Sequence, residues 1–125
     1  DGKQPYLIEH RDGKMLAMAG LWERNRKLGQ SQEEPLESCT IVTTSSNQTT
    51  RAVHDRMPVF LDEDGRDEWL SPKTSQKRLF ELLRPADDDL LKLTPVSRSV
   101  GNPRNDGPQC VEPVEVSPSD DTMLF

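Results

Sequence analysis

The sequence predicts an α+β protein built on a largely antiparallel β-sheet, and three observations support that fold class. Short apolar, β-branched segments such as "SCTIVTT" (38–44) and "MPVFL" (57–61) are typical of buried strands. The segment "SPKTSQKRLFELLRP" (71–85) places leucines and a phenylalanine on one helical face and ends at a proline. Strands precede and follow this helix without regular alternation, an order that favours α+β over parallel α/β.

The first third of the chain is predicted to form a hairpin, a loop and a strand. "YLIEH" (6–10) and "KMLAMAGLW" (14–22) flank Asp12-Gly13, and glycine there supplies the positive φ that tight hairpin turns need. The polar segment 23–38 contains a proline and is typical of a loop. The strand that follows, at 38–44, is the clearest in the sequence because its β-branched run is nearly continuous.

Later elements are marked by caps and breakers. Serine and asparagine caps predict a short helix over 47–54. Pro58 cannot donate to a ladder, so it indicates an edge strand or the first position of strand 57–61. "DEDGRDEWL" (62–70) predicts a turn leading into one helical turn, and "ADDDLLKLTPVS" (86–97) an acidic turn and then a strand.

Composition limits the size of the core and the class of partner. The 125 residues are 32% hydrophobic and carry a net charge of −6. All of the acidic excess falls in 61–125, while 1–60 is neutral. An acidic total argues against non-specific nucleic-acid binding but allows a local basic groove in the neutral half. No apolar run is long enough for a membrane span.

The two cysteines, Cys39 and Cys110, predict reduced thiols rather than a disulfide, because no secretory signal accompanies them. Cys39 lies beside the apolar run "TIV", so we expect a buried, inert thiol rather than a nucleophile. Neither cysteine has a second ligand at zinc-binding spacing.

His54, Asp55 and Arg56 form the most suggestive polar cluster, since they stand directly before an apolar strand. Histidine can give and take a proton near neutral pH, and the arginine fork suits phosphate. The alternative is structural: a histidine at a helix C-terminus, where the dipole favours it, beside a surface arginine.

Two further segments allow a functional and a structural interpretation. The strand end at 43–47, from Thr43 to Asn47, offers hydroxyls and backbone N–H groups that suit an anion, or an ordinary N-cap. Trp22 suits base stacking, but a strand tryptophan next to glycine is more often part of a core.

Taken in order, six segments resemble the SOS-response-associated peptidase (SRAP) family. The resemblance lies in both the motifs and their spacing, and it spans residues 3 to about 113. The segments are "MAGLWE" (18–23), "CTIVTTSSN" (39–47), "VHDRMPVFL" (53–61), "EWL" (68–70), "TPVS" (94–97) and "VGNPRNDGPQCVEP" (100–113).

The resemblance implies a fold and a set of site residues. The fold is a single α+β domain around a strongly curved, largely antiparallel, barrel-like sheet with a few short helices. Family members bind single-stranded DNA and crosslink abasic sites through an amino-terminal cysteine that autoproteolysis exposes. His54 matches the family's active-site histidine, expected to transfer protons during crosslink formation or reversal. Arg56 matches an arginine expected to hold a DNA phosphate, and Thr43 matches a threonine on the groove wall.

The resemblance begins after the family's nucleophilic cysteine, its asparagine and its catalytic glutamate. We therefore expect residues 1–115 to be an SRAP-like domain lacking its amino-terminal part, and 116–125 to be a tail or edge segment. Cys39 and Cys110 do not stand at the nucleophile's position in the motif order. The chain then corresponds to about the carboxy-terminal half to two-thirds of the domain.

The implied partner is single-stranded DNA with abasic sites, with no cofactor, no metal and no membrane. A complementing amino-terminal segment or a homo-oligomer is a further expected partner, and the expected location is cytoplasmic, or nucleoid-associated in a bacterium. Two alternatives stay open. One is a truncated, non-catalytic paralogue that acts as a DNA-binding or protein-interaction module. The other is an acidic soluble domain whose resemblance says nothing about activity.

Overall fold

The computed structural model describes residues 3–28 and 34–116. Their strands pair as two-stranded ladders, and the three ladders with a defined register are antiparallel. The predicted α+β class is thereby confirmed, while the barrel-like curvature stays a prediction. The strands are β1 (Tyr6–His10), β2 (Ala17–Met18), β3 (Gly20–Asn25), β4 (Leu36–Ile41), β5 (Thr43–Ser45), β6 (Arg56–Pro58), β7 (Phe60–Leu61) and β8 (Leu91–Pro95).

The helices are short, and all lie between β5 and the end of the described chain. They are α1 (Gln48–Arg51), α2 (Glu63–Leu70) and α3 (Gln76–Leu82), with 3₁₀ turns at Arg98–Gly101 and Pro108–Val111. The chain divides into two compact units. The first comprises segments 1–15, 46–56 and 87–125, and the second comprises 16–45 and 57–86.

The first unit is organised by the ladder between β1 and β8. The register runs from Tyr6 opposite Pro95 to His10 opposite Leu91. Leu91 and Val96 are buried and form the apolar centre of this unit. The buried positions of β8 and its next residue are Leu91, Thr94 and Val96. Since successive side chains of a strand point to opposite faces, Leu91 lies on one face and Thr94 and Val96 on the other, so both faces of the strand are covered.

The predicted hairpin at Asp12-Gly13 is correct as a turn and wrong as a strand pairing. Gly13 has φ +70°, and its N–H donates to the His10 carbonyl at 2.9 Å. Nevertheless β1 pairs with the distant β8, and the segment after the turn divides into β2 and β3 with other partners. The turn chemistry specifies a reversal of the chain, whereas burial of Leu91 selects the partner strand.

A ring of three backbone hydrogen bonds holds the second unit together. The Ala19 N–H donates to the Val59 carbonyl, Val59 donates to Val42, and Val42 donates back to Ala19, each at 2.9 Å. We call these three residues the junction ring. Each lies between two consecutive strands, which are β2 and β3, β4 and β5, and β6 and β7.

The junction ring is where each continuous strand changes its partner. On one side of the ring β2 pairs with β7, and on the other sides β3 pairs with β4 and β5 with β6. Ala19 and Val59 are both 0% exposed, so their backbone N–H and C=O groups have no access to water. These groups therefore need hydrogen-bond partners within the protein, and the ring supplies them. Pro58 is the last residue of β6, one position before the ring, rather than the first position of the predicted strand.

Helix α2 is longer than the single turn that the sequence predicts, since it covers eight residues. Asp62 caps it by accepting the Gly65 N–H at 2.7 Å, and two acidic residues in its first turn complement the helix dipole. Gly65 is buried, and a Cβ there would lie 3.5 Å from the Leu82 side chain of α3. The packing of α2 on α3 therefore extends a helix that its local sequence specifies only weakly.

Arg78 links the two helices through carboxylates. Its guanidinium donates to both Glu68 carboxylate oxygens, at 2.5 and 2.9 Å, and also contacts Glu81 at 3.2 Å. The bond from Arg78 lowers the pKa of Glu68 below its ordinary value of 4.5, and the same bonds raise the pKa of Arg78. The pair therefore stabilises the fold wherever Glu68 is ionised.

We expect Glu68→Gln to make the thermal stability of the protein depend less on pH in the acidic range. A depressed carboxyl pKa contributes stability above the unfolded value and loses it as the pH falls through the folded value. The variant should melt below the parent protein near neutral pH, and the two should converge as the pH falls through the lowered pKa of Glu68. Thermal melts followed by circular dichroism across this range test the prediction, with Glu9→Gln as the control for loss of an exposed carboxylate. A constant difference across all pH values would contradict it.

We expect Val59→Ala to lower the free energy of unfolding by about 2 kcal/mol, because it removes two fully buried methyl groups. Val111→Ala removes the same atoms from a residue that is 49% exposed, so its effect should stay below about 0.5 kcal/mol. Urea denaturation of both variants measures the difference. Equal losses would show that the junction ring is not at the centre of the core.

Candidate nucleic-acid site

The candidate site is positioned by α1, a four-residue helix that precedes His54. Asn47 caps it, as the sequence predicts, by accepting the Thr50 N–H at 2.9 Å and the Thr50 hydroxyl at 2.8 Å. Both residues are buried, and the Asn47 amide donates to the Asp87 carbonyl at 3.2 Å. The helix is therefore fixed at its start by a buried polar cluster rather than by apolar packing.

The N-terminus of α1 is occupied by an acidic residue of the same chain. The Asp88 carboxylate accepts the Gln48 N–H at 2.7 Å, and the Asp88 carbonyl accepts the Thr49 hydroxyl. Of the two interpretations of segment 43–47, ordinary capping is thus the one observed for its end at Asn47. Sequence reasoning missed Asp88 because its contact spans forty residues and an acidic run gives no signal of its distant partner.

Backbone hydrogen bonds place His54 directly after α1. The His54 N–H donates to the Thr50 carbonyl at 3.0 Å, which closes the last turn. The Ser46 N–H donates to the Asp55 carbonyl at 3.0 Å, so the chain before α1 and the chain after it are joined. The histidine therefore stands on a short, closed loop, and its side chain is 70% exposed.

One ring nitrogen of His54 is shared between two neighbours. The Nδ1 atom accepts the Arg56 N–H at 3.0 Å, and it also lies 2.9 Å from an Asp55 carboxylate oxygen. A nitrogen cannot accept and donate at once, so these contacts belong to alternative protonation or tautomeric states. When Nδ1 accepts from Arg56, the neutral ring carries its proton on Nε2, and when Nδ1 is protonated, its N–H donates to Asp55.

This arrangement leaves Nε2 of His54 as the nitrogen that faces outward for chemistry. A histidine whose Nδ1 is held by the backbone presents Nε2 in a defined tautomer, as a proton-transfer group requires. The Asp55 carboxylate lies beside the ring and can stabilise the imidazolium. The alternative interpretation, a histidine at a helix C-terminus, describes the same position and is compatible with this geometry.

The other predicted site residues fall in different places. Arg56 begins β6 and is joined to His54 through its backbone N–H. Thr43 begins β5 in the second unit, and its expected place on the wall of a DNA-binding groove stays a prediction. Two side chains that we expected to be buried are exposed, namely Trp22, which is 69% exposed, and Cys39.

The described residues also bear on metals, thiols and membranes. Both cysteines are free, in agreement with the prediction of reduced thiols. Over residues 3–28 and 34–116, no group of three histidine, cysteine or acidic side chains is placed to hold a metal ion. Within the same ranges, no helix has the length and apolar character that a membrane crossing requires.

Comparison with known proteins identifies the family. Residues 1–103 match the family described as SOS response associated peptidase (SRAP). The chain belongs to this family, and the resemblance of its ordered motifs is thereby confirmed.

Several characterised relatives carry names that refer to DNA lesions. The chain is 39% identical over 111 residues to the abasic site processing protein YoqW of Bacillus subtilis, covering 88% of this chain and 48% of YoqW. It is 33% identical to YedK of Escherichia coli, covering 91% of this chain and 50% of YedK. It is 32% identical to chicken HMCES, covering 92% of this chain and 39% of HMCES. The chain thus spans half or less of the length of these relatives.

Two solved structures also match this chain over only about half of their own length. A crystal structure of a protein from Bacteroides thetaiotaomicron aligns with a TM-score of 0.78 and 26% identity, covering 91% of this chain and 50% of that one. A Bordetella bronchiseptica protein aligns with a TM-score of 0.62 and 27% identity, over 75% of this chain and 46% of that one. The fold described here is therefore about half of a larger family fold.

We expect the neutral imidazole of His54 to carry its proton on Nε2. Nitrogen-15 NMR of the histidine rings at alkaline pH distinguishes the two tautomers. His10 provides an internal reference, because its Nδ1 accepts the Asp12 N–H at 3.0 Å. A His54 spectrum dominated by the Nδ1–H form would show that the Arg56 hydrogen bond is absent.

Proposed function

We propose that this chain supplies the histidine and arginine of a site that processes abasic lesions in single-stranded DNA. Membership of the SRAP family is the observation that carries the proposal, and the relatives are named as abasic site processing proteins. His54 and Arg56 stand in the family motif, and the exposed Nε2 of His54 suits a proton-transfer role. Arg56 holds a phosphate of the DNA backbone in this proposal, and Thr43 contacts the same strand.

The chemistry requires a nucleophile that this stretch of sequence does not provide at the motif position. In the complete site, autoproteolysis exposes an amino-terminal cysteine whose thiol and α-amine both bond to the aldehyde carbon of the opened sugar. The thiol and the amine each give up one proton, the aldehyde oxygen leaves as water, and a thiazolidine ring forms. A complementing amino-terminal segment or a second copy of the chain would supply the cysteine. His54 would then deliver a proton to the sugar oxygen as the ring opens, and accept one when the crosslink reverses. We further propose a cytoplasmic location, with nucleoid association in a bacterium.

A second candidate function is a DNA-binding or protein-interaction module without chemistry. Its support is that the described residues span about half of the family fold while keeping the histidine and arginine. Both candidates require DNA or protein binding, but only the first requires covalent capture. A denaturing gel with abasic single-stranded DNA therefore separates them.

We expect Arg56→Ala to weaken binding of abasic single-stranded DNA roughly three- to tenfold, since one phosphate contact is lost. The slope of log affinity against log salt should fall by about 0.7, the value for one phosphate of a single strand. Fluorescence anisotropy over a salt series measures both quantities, and Arg84→Ala is the matched control on an exposed arginine. An unchanged slope for Arg56→Ala would exclude the phosphate contact.

We expect His54→Ala to slow covalent capture by about 100-fold or more in a protein completed at its amino terminus, because general acid–base catalysis contributes at least this much. A fusion that places the unmatched part of YoqW before residue 3 provides the completed protein. Time courses on denaturing gels give the rate, and His10→Ala is the control for loss of an exposed imidazole. Capture at the parental rate would remove His54 from the mechanism.

A further inference from the structure

The β3–β4 ribbon exposes more apolar surface than a two-stranded ladder normally leaves in water. Its register pairs Gly20 with Ile41 at one end and Asn25 with Leu36 at the other. Eleven of its twelve residues are exposed. Isolated two-stranded ribbons are marginally stable in water, and native edges usually carry charges or proline.

The apolar side chains of the ribbon concentrate on its half nearest the junction ring. Side chains of directly paired residues share a face, so Trp22 and Cys39 stand beside Gly20 and Ile41 on one face. Leu21 stands opposite Thr40 on the other face. Atoms of these six residues border an open trough of about 620 Å³ whose surface is mainly apolar, and on its Trp22 face the side chains are those of Trp22, Cys39 and Ile41.

A polar boundary closes the apolar stretch. Next along the Trp22 face, the guanidinium of Arg24 donates to the Glu37 carboxylate at 2.7 Å. At the other end the Trp69 indole N–H donates to the Gly20 carbonyl at 3.1 Å, which fixes the start of β3. An apolar centre with a paired-charge rim is the anatomy of a protein interface rather than of a phosphate-binding groove.

We infer that this ribbon is the docking surface for the half of the SRAP fold that lies outside this chain. The chain covers only 48% of YoqW and 50% of the Bacteroides structure, yet 88–91% of the chain itself is matched in both. About half of the length of these relatives therefore has no counterpart in the matched residues. Within residues 3–28 and 34–116, β3 and β4 pair only with each other, and the ribbon exposes apolar side chains. The inference deepens the proposed function by naming the surface that the complementing segment uses.

The charge pattern disfavours DNA as the occupant. Among the trough residues no side chain is cationic, and Arg24 at its edge is already paired with Glu37. A strand of DNA bound here would stack on Trp22 without a phosphate contact from the trough itself. A polypeptide strand, in contrast, can pair with an open edge and cover Trp22 and Ile41.

The test mixes the full 125-residue chain with a polypeptide that comprises the part of YoqW this chain does not match. We expect a 1:1 complex by light scattering, with slower amide exchange in β3 and β4. Trp22→Glu and Ile41→Glu should each weaken the complex at least tenfold, because each places a charge in a dry contact. Phe80→Glu is the matched control, since Phe80 is 65% exposed on α3 in the same unit.

Three results would overturn the inference. Trp22→Glu could bind like the parent chain, the 125-residue chain could form a homodimer through the ribbon, or abasic DNA alone could protect β3 and β4 from exchange. If the separate polypeptide is insoluble, the YoqW fusion gives a second readout: amide exchange in β3 and β4 should slow severalfold relative to the unfused chain. These readouts do not involve DNA capture, so a complex that forms without capturing DNA would refute the proposed function alone.

Discussion

The junction ring of Ala19, Val42 and Val59 is the constraint on which the second unit depends. Three strands that are separate in sequence meet there, and each exchanges one partner for another across a single residue. No two of the strands can form the ring without the third, because every member both donates and accepts. The ring therefore makes the order of this unit depend on contacts between residues that are distant in sequence.

The site in the first unit follows a different principle, since polar groups rather than apolar packing hold it. Asn47, buried at the start of α1, satisfies Thr50 twice and reaches the backbone before β8. The short helix and its acidic partner Asp88 then set the position from which His54 and Arg56 emerge. A buried polar cluster of this kind tolerates substitution poorly, because a broken network leaves unpaired groups in an apolar surrounding.

Local chemistry was predictable from the sequence, and partner choice was not. The cap at Asn47 and the turn at Gly13 follow from side-chain and backbone geometry within a few residues, so the sequence indicates both. The pairing of β1 with β8 and the contact of Asp88 with α1 depend on burial across the whole unit, which no local window contains. Trp22 illustrates the limit most clearly: its neighbours in sequence are typical of a core, but the side chain is 69% exposed on the β3–β4 ribbon.

The junction ring also sets a rule for which residues evolution can accept along these strands. The ring uses only main-chain atoms, so aliphatic residues can replace one another at positions 42 and 59 while the hydrogen bonds persist. Proline is the exception, because it lacks the N–H that each member donates. Pro58 stands one position from Val59 and is harmless there, whereas the same residue one step later would open the ring. A set of homologous sequences should therefore show proline freely at position 58 and almost never at 19, 42 or 59.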